Sequence, residues 1–215
     1  MKRSTKIILT LIGLFGFSQL SLAQGDVANG EKLSAACAAC HAADGNSSLP
    51  MFPKIAGLGE KYLLKQLKDI QAGSRTIPEM AGQLDGKSEQ ELKDLAAFFA
   101  SKTTQLSGAK ELQVQVNSGI KVDALKLGEK VYRAGNQETK VPACSGCHSP
   151  RGLGNDPAGY PRLSGQYADY IEKQLKSFRA GDRTNDGEAM VMRAVAEHMS
   201  DAEIKAVANY ISGLN

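Results

Sequence analysis

The chain has 215 residues, of which 42% are hydrophobic and 23% are charged, as in folded globular proteins and unlike disordered ones. Its formal net charge of +3 comes entirely from the first 23 residues, and the remainder holds 23 basic and 23 acidic side chains. A remainder without net charge gives no support to a nucleic-acid-binding function.

Residues 1–23 have the three parts of a secretory signal peptide. A basic start that ends at Lys6 precedes a mostly apolar run at residues 7–17, and Ser21-Leu22-Ala23 is typical of a cleavage site. The apolar run is shorter than the roughly 20 residues that span a membrane, although an uncleaved membrane anchor is the alternative. We therefore expect cleavage after Ala23 and export of the mature chain.

The rest of the chain contains one pattern twice. Cys37-Ala38-Ala39-Cys40-His41 recurs as Cys144-Ser145-Gly146-Cys147-His148, and further matches follow both copies in the same order, displaced by 108 to 112 residues. This indicates a tandem duplication of a unit of roughly 95 residues, which is the size of a small domain. We place the two domains at residues 24–105 and 124–215, joined by a linker at 106–123.

Each copy has the pattern of helices joined by loops. A short helix is expected near residues 27–38 and again near 124–135, and the last helix of each copy starts with a capping box, at Ser88 and at Ser200. No segment shows the alternation of a β-strand, so the sequence predicts an all-α fold. The apolar stripes of the longer helices are Leu63, Leu67 and Ile70; Ile171, Leu175 and Phe178; Leu92, Leu95, Ala96 and Phe99; and Ile204, Val207, Ala208 and Ile211.

The four cysteines admit three interpretations. A disulfide within each pair would close a tight, weakly stabilising loop. A shared zinc site usually has its two C-x-x-C pairs within about 15–20 residues of each other, whereas 103 residues separate Cys40 from Cys144. The third interpretation is covalent haem, because C-x-x-C-H is the attachment signal of c-type haem. Two of the three histidines in the chain directly follow a C-x-x-C pair, which favours the third interpretation.

Helical geometry explains the spacing of this motif. Cys37, Cys40 and His41 stand at positions i, i+3 and i+4, which lie on one face of a helix. Both thiols can therefore form thioethers with one haem while the imidazole reaches its iron. The sequence therefore predicts two covalently attached haem c groups. The predicted cofactor-binding residues are Cys37, Cys40, Cys144 and Cys147, and the predicted histidine ligands of iron are His41 and His148.

The repeat also selects a second axial ligand for each iron. Met80 and Met192 are separated by 112 residues, and each stands eight residues before its capping-box serine. Met190 is the rival of Met192. A methionine ligand raises the reduction potential and leaves no open iron position, which favours electron transfer over catalysis. Three other candidates have no counterpart in the other copy: Met51 and Met199, which are expected to pack, and His198, which is expected at the surface or in packing.

Two further pairs of residues recur near these ligands. The carbonyl groups of Pro53 and Pro161 could accept the Nδ1–H of the ligating histidines, or the prolines could simply belong to turns. Arg75 and Arg183 could pair with haem propionates or with carboxylates, although an exposed charge is the ordinary state of an arginine.

These motifs resemble class I cytochromes c, and their tandem arrangement resembles the di-haem cytochrome c4 family. The resemblance covers both copies and includes Pro-x-x-x-Gly at residues 53–57 and 161–165 and Arg-Thr at 75–76 and 183–184. It implies two cytochrome c domains related by an approximate two-fold axis, with the haems close together at the domain interface and histidines held by proline carbonyls. The implied ligand pairs are His41 with Met80 and His148 with Met192.

The resemblance also implies a role. It is periplasmic electron transfer between respiratory complexes, commonly towards a haem-copper terminal oxidase, with no enzymatic activity. The expected partners are redox proteins, namely a terminal oxidase and an upstream donor, with possible peripheral membrane association of a monomer. The alternatives are a di-haem peroxidase, which needs a displaceable iron ligand, and a haem subunit of a flavoprotein dehydrogenase.

Overall fold

The computed structural model describes residues 24–215, and the predicted signal peptide lies outside these residues. Helices in two consecutive halves make up nearly all of the regular secondary structure in this part, which confirms the all-α class. The N-terminal half contains α1 Val27–Leu33, α2 Ala35–His41, α3 Glu60–Gln71 and α4 Glu89–Ala100. Strands β1 Gln113–Gln115 and β2 Lys121–Asp123 follow. The C-terminal half contains α5 Ala124–Ala134, α6 Ser145–His148, α7 Ala168–Ala180, α8 Val191–Glu197 and α9 Asp201–Gly213.

The two strands form an antiparallel hairpin within the predicted linker. Val114 of β1 faces Val122 of β2, and Val114 is buried against Ala124, Ala202 and Ala206 of the C-terminal half. The expectation that the chain has no strand is therefore wrong for this segment. Three residues are too few for the alternation of a strand to be visible in a sequence. Val114 and the partly buried Leu112, Val116 and Val122 pack this hairpin against the helices.

The last helix of each half is its structural centre. Both predicted capping boxes are present: Ser88 and Glu91 exchange side-chain and backbone hydrogen bonds at the start of α4, and Ser200 and Glu203 do so at the start of α9. These exchanges satisfy amide groups that a helix start leaves without partners. The predicted apolar stripes of both helices are buried, with Leu92, Leu95, Ala96 and Phe99 in α4 and Ile204, Val207, Ala208 and Ile211 in α9.

In each half the first helix crosses the last one at very short range. A Cβ atom at Gly30 of α1 would lie 2.0 Å from the carbonyl oxygen of Asp94, and one at Gly128 of α5 would lie 2.2 Å from that of Ala206. Only glycine permits such an approach of two helix backbones. The two crossings are equivalent, which agrees with the duplication inferred from the sequence.

A polar interface with reciprocal contacts joins the halves. Arg75 donates hydrogen bonds to Tyr170 Oη and to Gln174 Oε1, at 3.0 and 3.2 Å. The same contacts recur in the opposite direction, at 3.3 and 3.0 Å, between the equivalent residues Arg183, Tyr62 and Gln66. A two-fold axis produces such pairs of contacts, in which each half contributes the same residues in exchanged roles. The predicted approximate two-fold relation is thus confirmed. No helix within residues 24–215 is long and apolar enough to cross a membrane.

Candidate haem-binding sites

The first C-x-x-C-H motif borders a cavity of about 450 Å³ in the N-terminal half. Helix α2 brings Cys37, Cys40 and His41 to the wall of this cavity, and Met80 also lines the cavity. The predicted ligands and thiols of the first site therefore come together. The rest of the lining is largely apolar and includes Phe52, Ile55, Leu58, Leu63, Leu67, Ile70, Leu95 and Phe99.

The imidazole of His41 is fixed by the backbone. Its Nδ1 lies 2.8 Å from the carbonyl oxygen of Pro53, so Nδ1 carries the proton and Nε2 keeps its lone pair. Burial lowers the pKa of His41, and the bond to Pro53 opposes this shift without cancelling it. A neutral imidazole with a free Nε2 is the form that binds a metal, and a bonded Nδ1–H increases its basicity.

The second motif repeats this arrangement in the C-terminal half. Nδ1 of the buried His148 lies 2.9 Å from the carbonyl oxygen of Pro161, and burial likewise lowers the pKa of His148. The prediction that both proline carbonyls hold the histidines is confirmed. Cys144 and Met192 pack against one apolar core that contains Ile171 and Leu175. A thiol and a thioether of the second site thus share one apolar environment.

No disulfide joins the cysteines of the two motifs. All four are unpaired in the described structure, and burial raises the pKa of Cys37 and raises that of Cys144 to about 11. Before a haem is attached, these two thiols are therefore protonated at neutral pH. Within residues 24–215, no three His, Cys, Asp or Glu side chains form a metal-holding cluster. Among these residues, the two C-x-x-C pairs therefore do not come together in one such cluster.

The methionines differ in their surroundings. Met80 ends the short 3-10 helix Pro78–Met80, while Met192 is the second residue of α8 and is partly buried. Met190 is 51% exposed and caps α8 with a left-handed φ of 48°. The expectation that Met51 packs inside the protein is wrong, because this residue is 73% exposed and borders the cavity, at its mouth. Met199, buried in the core, and His198, at the surface, lie as predicted.

The donor set fits a covalently held haem. Two thiols, one imidazole with a free Nε2 and one thioether border a single apolar cavity, and these are the groups that attach and ligate c-type haem. Tyr170 and Arg183 of the C-terminal half also line this cavity, so the first site reaches the domain interface.

Comparison with known proteins gives the same assignment. A model of the cytochrome c family matches residues 27–103 and 125–215, once in each half. Cytochrome c4 of Azotobacter vinelandii is 47% identical over 98% of this chain and 99% of its own. The chain belongs to the cytochrome c4 family. A crystal structure of reduced recombinant cytochrome c4 from Pseudomonas stutzeri, 47% identical, covers 89% of this chain and 100% of its own, with a TM-score of 0.81.

Membership of the cytochrome c4 family establishes the cofactors. The two C-x-x-C-H motifs bind two covalent haem c groups, and the chain is a di-haem electron-transfer cytochrome. A more distant relative from Stutzerimonas stutzeri strain A1501 is named thiosulfate dehydrogenase electron acceptor. It is 33% identical over 94% of this chain and 94% of its own.

The sequence analysis missed the burial of Arg75 and the role of Gln66 and Gln174 at the interface. Arg75 is only 8% exposed, so the ordinary expectation of an exposed charge is wrong for it. Gln66 Oε1 accepts hydrogen bonds from Arg75, Arg183 and Asn185, and Gln174 Oε1 accepts from both arginines. The available signal was a glutamine that recurs within the apolar stripe of α3 and of α7, where a solvated side chain is not expected.

Proposed function

We propose that this chain is an exported, periplasmic electron carrier that passes electrons from an upstream redox protein towards a terminal oxidase. In this proposal His41 and Met80 ligate the first haem iron, and His148 and Met192 ligate the second. The basic and apolar pattern of residues 1–23 supports export, and the family supports electron transfer.

One observation carries the ligand assignment. An anchored imidazole and a thioether, those of His41 and Met80, border the same apolar cavity as the two thiols that attach the haem. When both side chains are ligands, no iron position is left for a substrate, which favours a carrier over a peroxidase. The bound haem supplies reversible exchange of one electron between the ferric and ferrous states.

The chain's own contribution is to hold the donors in place. The Pro53 carbonyl fixes the His41 ring, and the 3-10 helix Pro78–Met80 holds the backbone of Met80. Apolar lining excludes water from the donors, and neither ligand has to gain or lose a proton. Little therefore has to move when the charge at the site changes, which is the requirement for fast electron transfer.

The partner proposal rests on the cavity mouth and on the charge balance. Cys40 and the exposed Met51 border the cavity there, so a partner that docks at this face comes close to the cofactor. Because the chain after residue 23 has no net charge, we expect weak and short-lived complexes. The relative named thiosulfate dehydrogenase electron acceptor favours a second candidate, in which a thiosulfate dehydrogenase is the electron donor.

The ligands are tested by replacing each methionine in the holoprotein. Met80→Ala and Met192→Ala should each remove the methionine-to-iron charge-transfer band of one ferric haem and lower the potential of that haem alone. Met51→Ala and Met190→Ala are the controls and should leave both bands unchanged. If Met190→Ala removes a band and Met192→Ala does not, the assignment of the second site is wrong.

The partners are tested by stopped-flow kinetics with the purified holoprotein. Membranes that contain a terminal oxidase should reoxidise the reduced protein rapidly, and the rate should show little dependence on salt. Reduction by thiosulfate in the presence of a thiosulfate dehydrogenase would support the second candidate as donor. A protein that no oxidase reoxidises, but that turns over hydrogen peroxide, would contradict the carrier proposal.

A further inference from the structure

Gln166, in the C-terminal half, holds a backbone segment of the N-terminal half. Its side chain is 4% exposed, and its Oε1 accepts a hydrogen bond from the Lys54 amide at 3.0 Å while its Nε2 donates to the Lys54 carbonyl at 2.7 Å. Oε1 also accepts from the amide of Tyr167, which fixes the side-chain amide further. The two hydrogen bonds are buried, and they bind both the N–H and the C=O of Lys54, so they hold the backbone of residue 54 in one position.

The held peptide group is the one that anchors the first histidine. The Lys54 amide and the Pro53 carbonyl belong to the same peptide unit, and this carbonyl accepts from His41 Nδ1 at 2.8 Å. A continuous chain of hydrogen bonds therefore runs from Gln166 through one peptide group to the imidazole. It crosses the interface between the halves.

Hydrogen bonds in such a chain strengthen one another. A peptide group whose N–H donates becomes a better acceptor at its carbonyl, by about 10–30% per bond in condensed phases. A better acceptor draws the Nδ1 proton of His41 more strongly and increases the electron density of the ring. A more electron-rich ligand stabilises ferric over ferrous iron, so the bond from Gln166 lowers the reduction potential of the site.

The C-terminal half has no equivalent of this chain of hydrogen bonds at the corresponding positions. The residue equivalent to Gln166, 108 positions earlier, is Leu58, and its side chain is apolar. Leu58 has no atom that could accept from the amide of Arg162, which is equivalent to Lys54. The histidine of the second site, His148, is thus anchored by Pro161 without an interdomain bond to the same peptide group from this position.

We infer that Gln166 is a positioning residue through which the second domain sets the reduction potential of the first haem. The inference rests on the proposed ligation of the first iron by His41. It makes the potential of one site dependent on the interface between the halves, and it gives the two haems different potentials although their axial ligands are the same.

The test replaces Gln166 in the holoprotein. Gln166→Met keeps the side-chain length without its hydrogen bonds, and Gln166→Leu installs the residue of the equivalent position. We expect the potential of the first haem to rise by a two- to tenfold shift of its ferric–ferrous equilibrium, roughly 18–59 mV at 59 mV per tenfold for one electron. The second potential should not change, and the Nδ1 proton of His41 should exchange faster with solvent in ferric-state NMR.

Tyr167→Phe is the matched control. The Tyr167 hydroxyl donates to the Ser47 carbonyl, also across the interface, but does not contact the peptide between Pro53 and Lys54. This variant should leave both potentials unchanged. Equal shifts of both potentials in the Gln166 variants, or a shift in the control as large as theirs, would overturn the inference.

Amide exchange in the unmodified protein keeps the inference testable if the Gln166 variants do not fold. The Lys54 amide should exchange with solvent more slowly than that of Arg162, because only the former has a side-chain partner from the other half. Equal exchange would count against the inference. The Met80→Ala variant separates the two proposals, because loss of its charge-transfer band supports the proposed ligand set whatever the Gln166 variants show.

Discussion

The crossing of α5 over α9 depends on Gly128, and replacing this glycine measures how tightly the C-terminal half is packed. A Cβ atom here would lie 2.2 Å from the Ala206 carbonyl oxygen and 2.7 Å from Tyr210 Cβ, whereas optimal carbon contacts are about 3.5–4.0 Å. The helices would have to separate by about 1 Å, and a gap of that size forfeits a quarter to a half of the contact energy.

The net effect follows from two opposing quantities. Overpacking costs about 1–3 kcal/mol, and the upper value applies because the obstacle is helix backbone rather than the end of a flexible side chain. Alanine returns about 1 kcal/mol through its higher helix propensity. We therefore expect Gly128→Ala to lower the free energy of unfolding of the C-terminal half by about 2 kcal/mol, measured by urea denaturation of the holoprotein with far-UV circular dichroism.

Gly146 provides the control for this experiment. It is also helical, a Cβ there would meet no atom within 4 Å, and Ala39 occupies the equivalent position of the first motif. Gly146→Ala should leave stability unchanged or raise it slightly. If Gly128→Ala were as stable as the parent protein, the short helix crossing would not be a structural constraint.

Three further predictions concern individual side chains. Burial alone would raise the pKa of Asp94, but hydrogen bonds from two side chains and one amide lower it, so its stabilisation exists above about pH 4 and is lost as pH falls further. Asp94→Asn should cost about 2 kcal/mol at pH 7 and much less at pH 3 in urea denaturation. Asp186 accepts from Arg193 in the first turn of α8, so Asp186→Asn should make the charge-transfer band proposed for Met192 disappear at a lower temperature on heating. Tyr132 is fully buried and donates to a backbone carbonyl just after the second motif, so Tyr132→Phe should cost about 1 kcal/mol in thermal unfolding.

The features that the sequence predicts well are those fixed by local spacing. The C-x-x-C-H motifs place their thiols and imidazoles, the capping boxes at Ser88 and Ser200 start the last helices, and the carbonyls of Pro53 and Pro161 anchor the histidines. In each case the partners lie within about a dozen residues of one another. The repeat adds confirmation, because each local pattern occurs twice in the same order.

The features that the sequence could not predict depend on how the halves pack together. Arg75 is buried because Tyr170 and Gln174 contact it from the other half, and no pattern within one half of the sequence indicates these contacts. The β1–β2 hairpin is likewise held by Val114 and its partly buried neighbours, which pack on helices of the C-terminal half. Gln166 has no repeated counterpart, so the comparison of the two copies does not single it out.

The reciprocal interface has the geometry of a homodimer built into one polypeptide. In a true homodimer every substitution appears on both subunits, so a glutamine at position 166 would require a glutamine at the position of Leu58. Covalent linkage removes that requirement and supplies an effective concentration in the millimolar range, which keeps even a polar contact closed. A single chain with two-fold geometry can therefore hold two haem sites, and the residues around each site can change independently of those around the other.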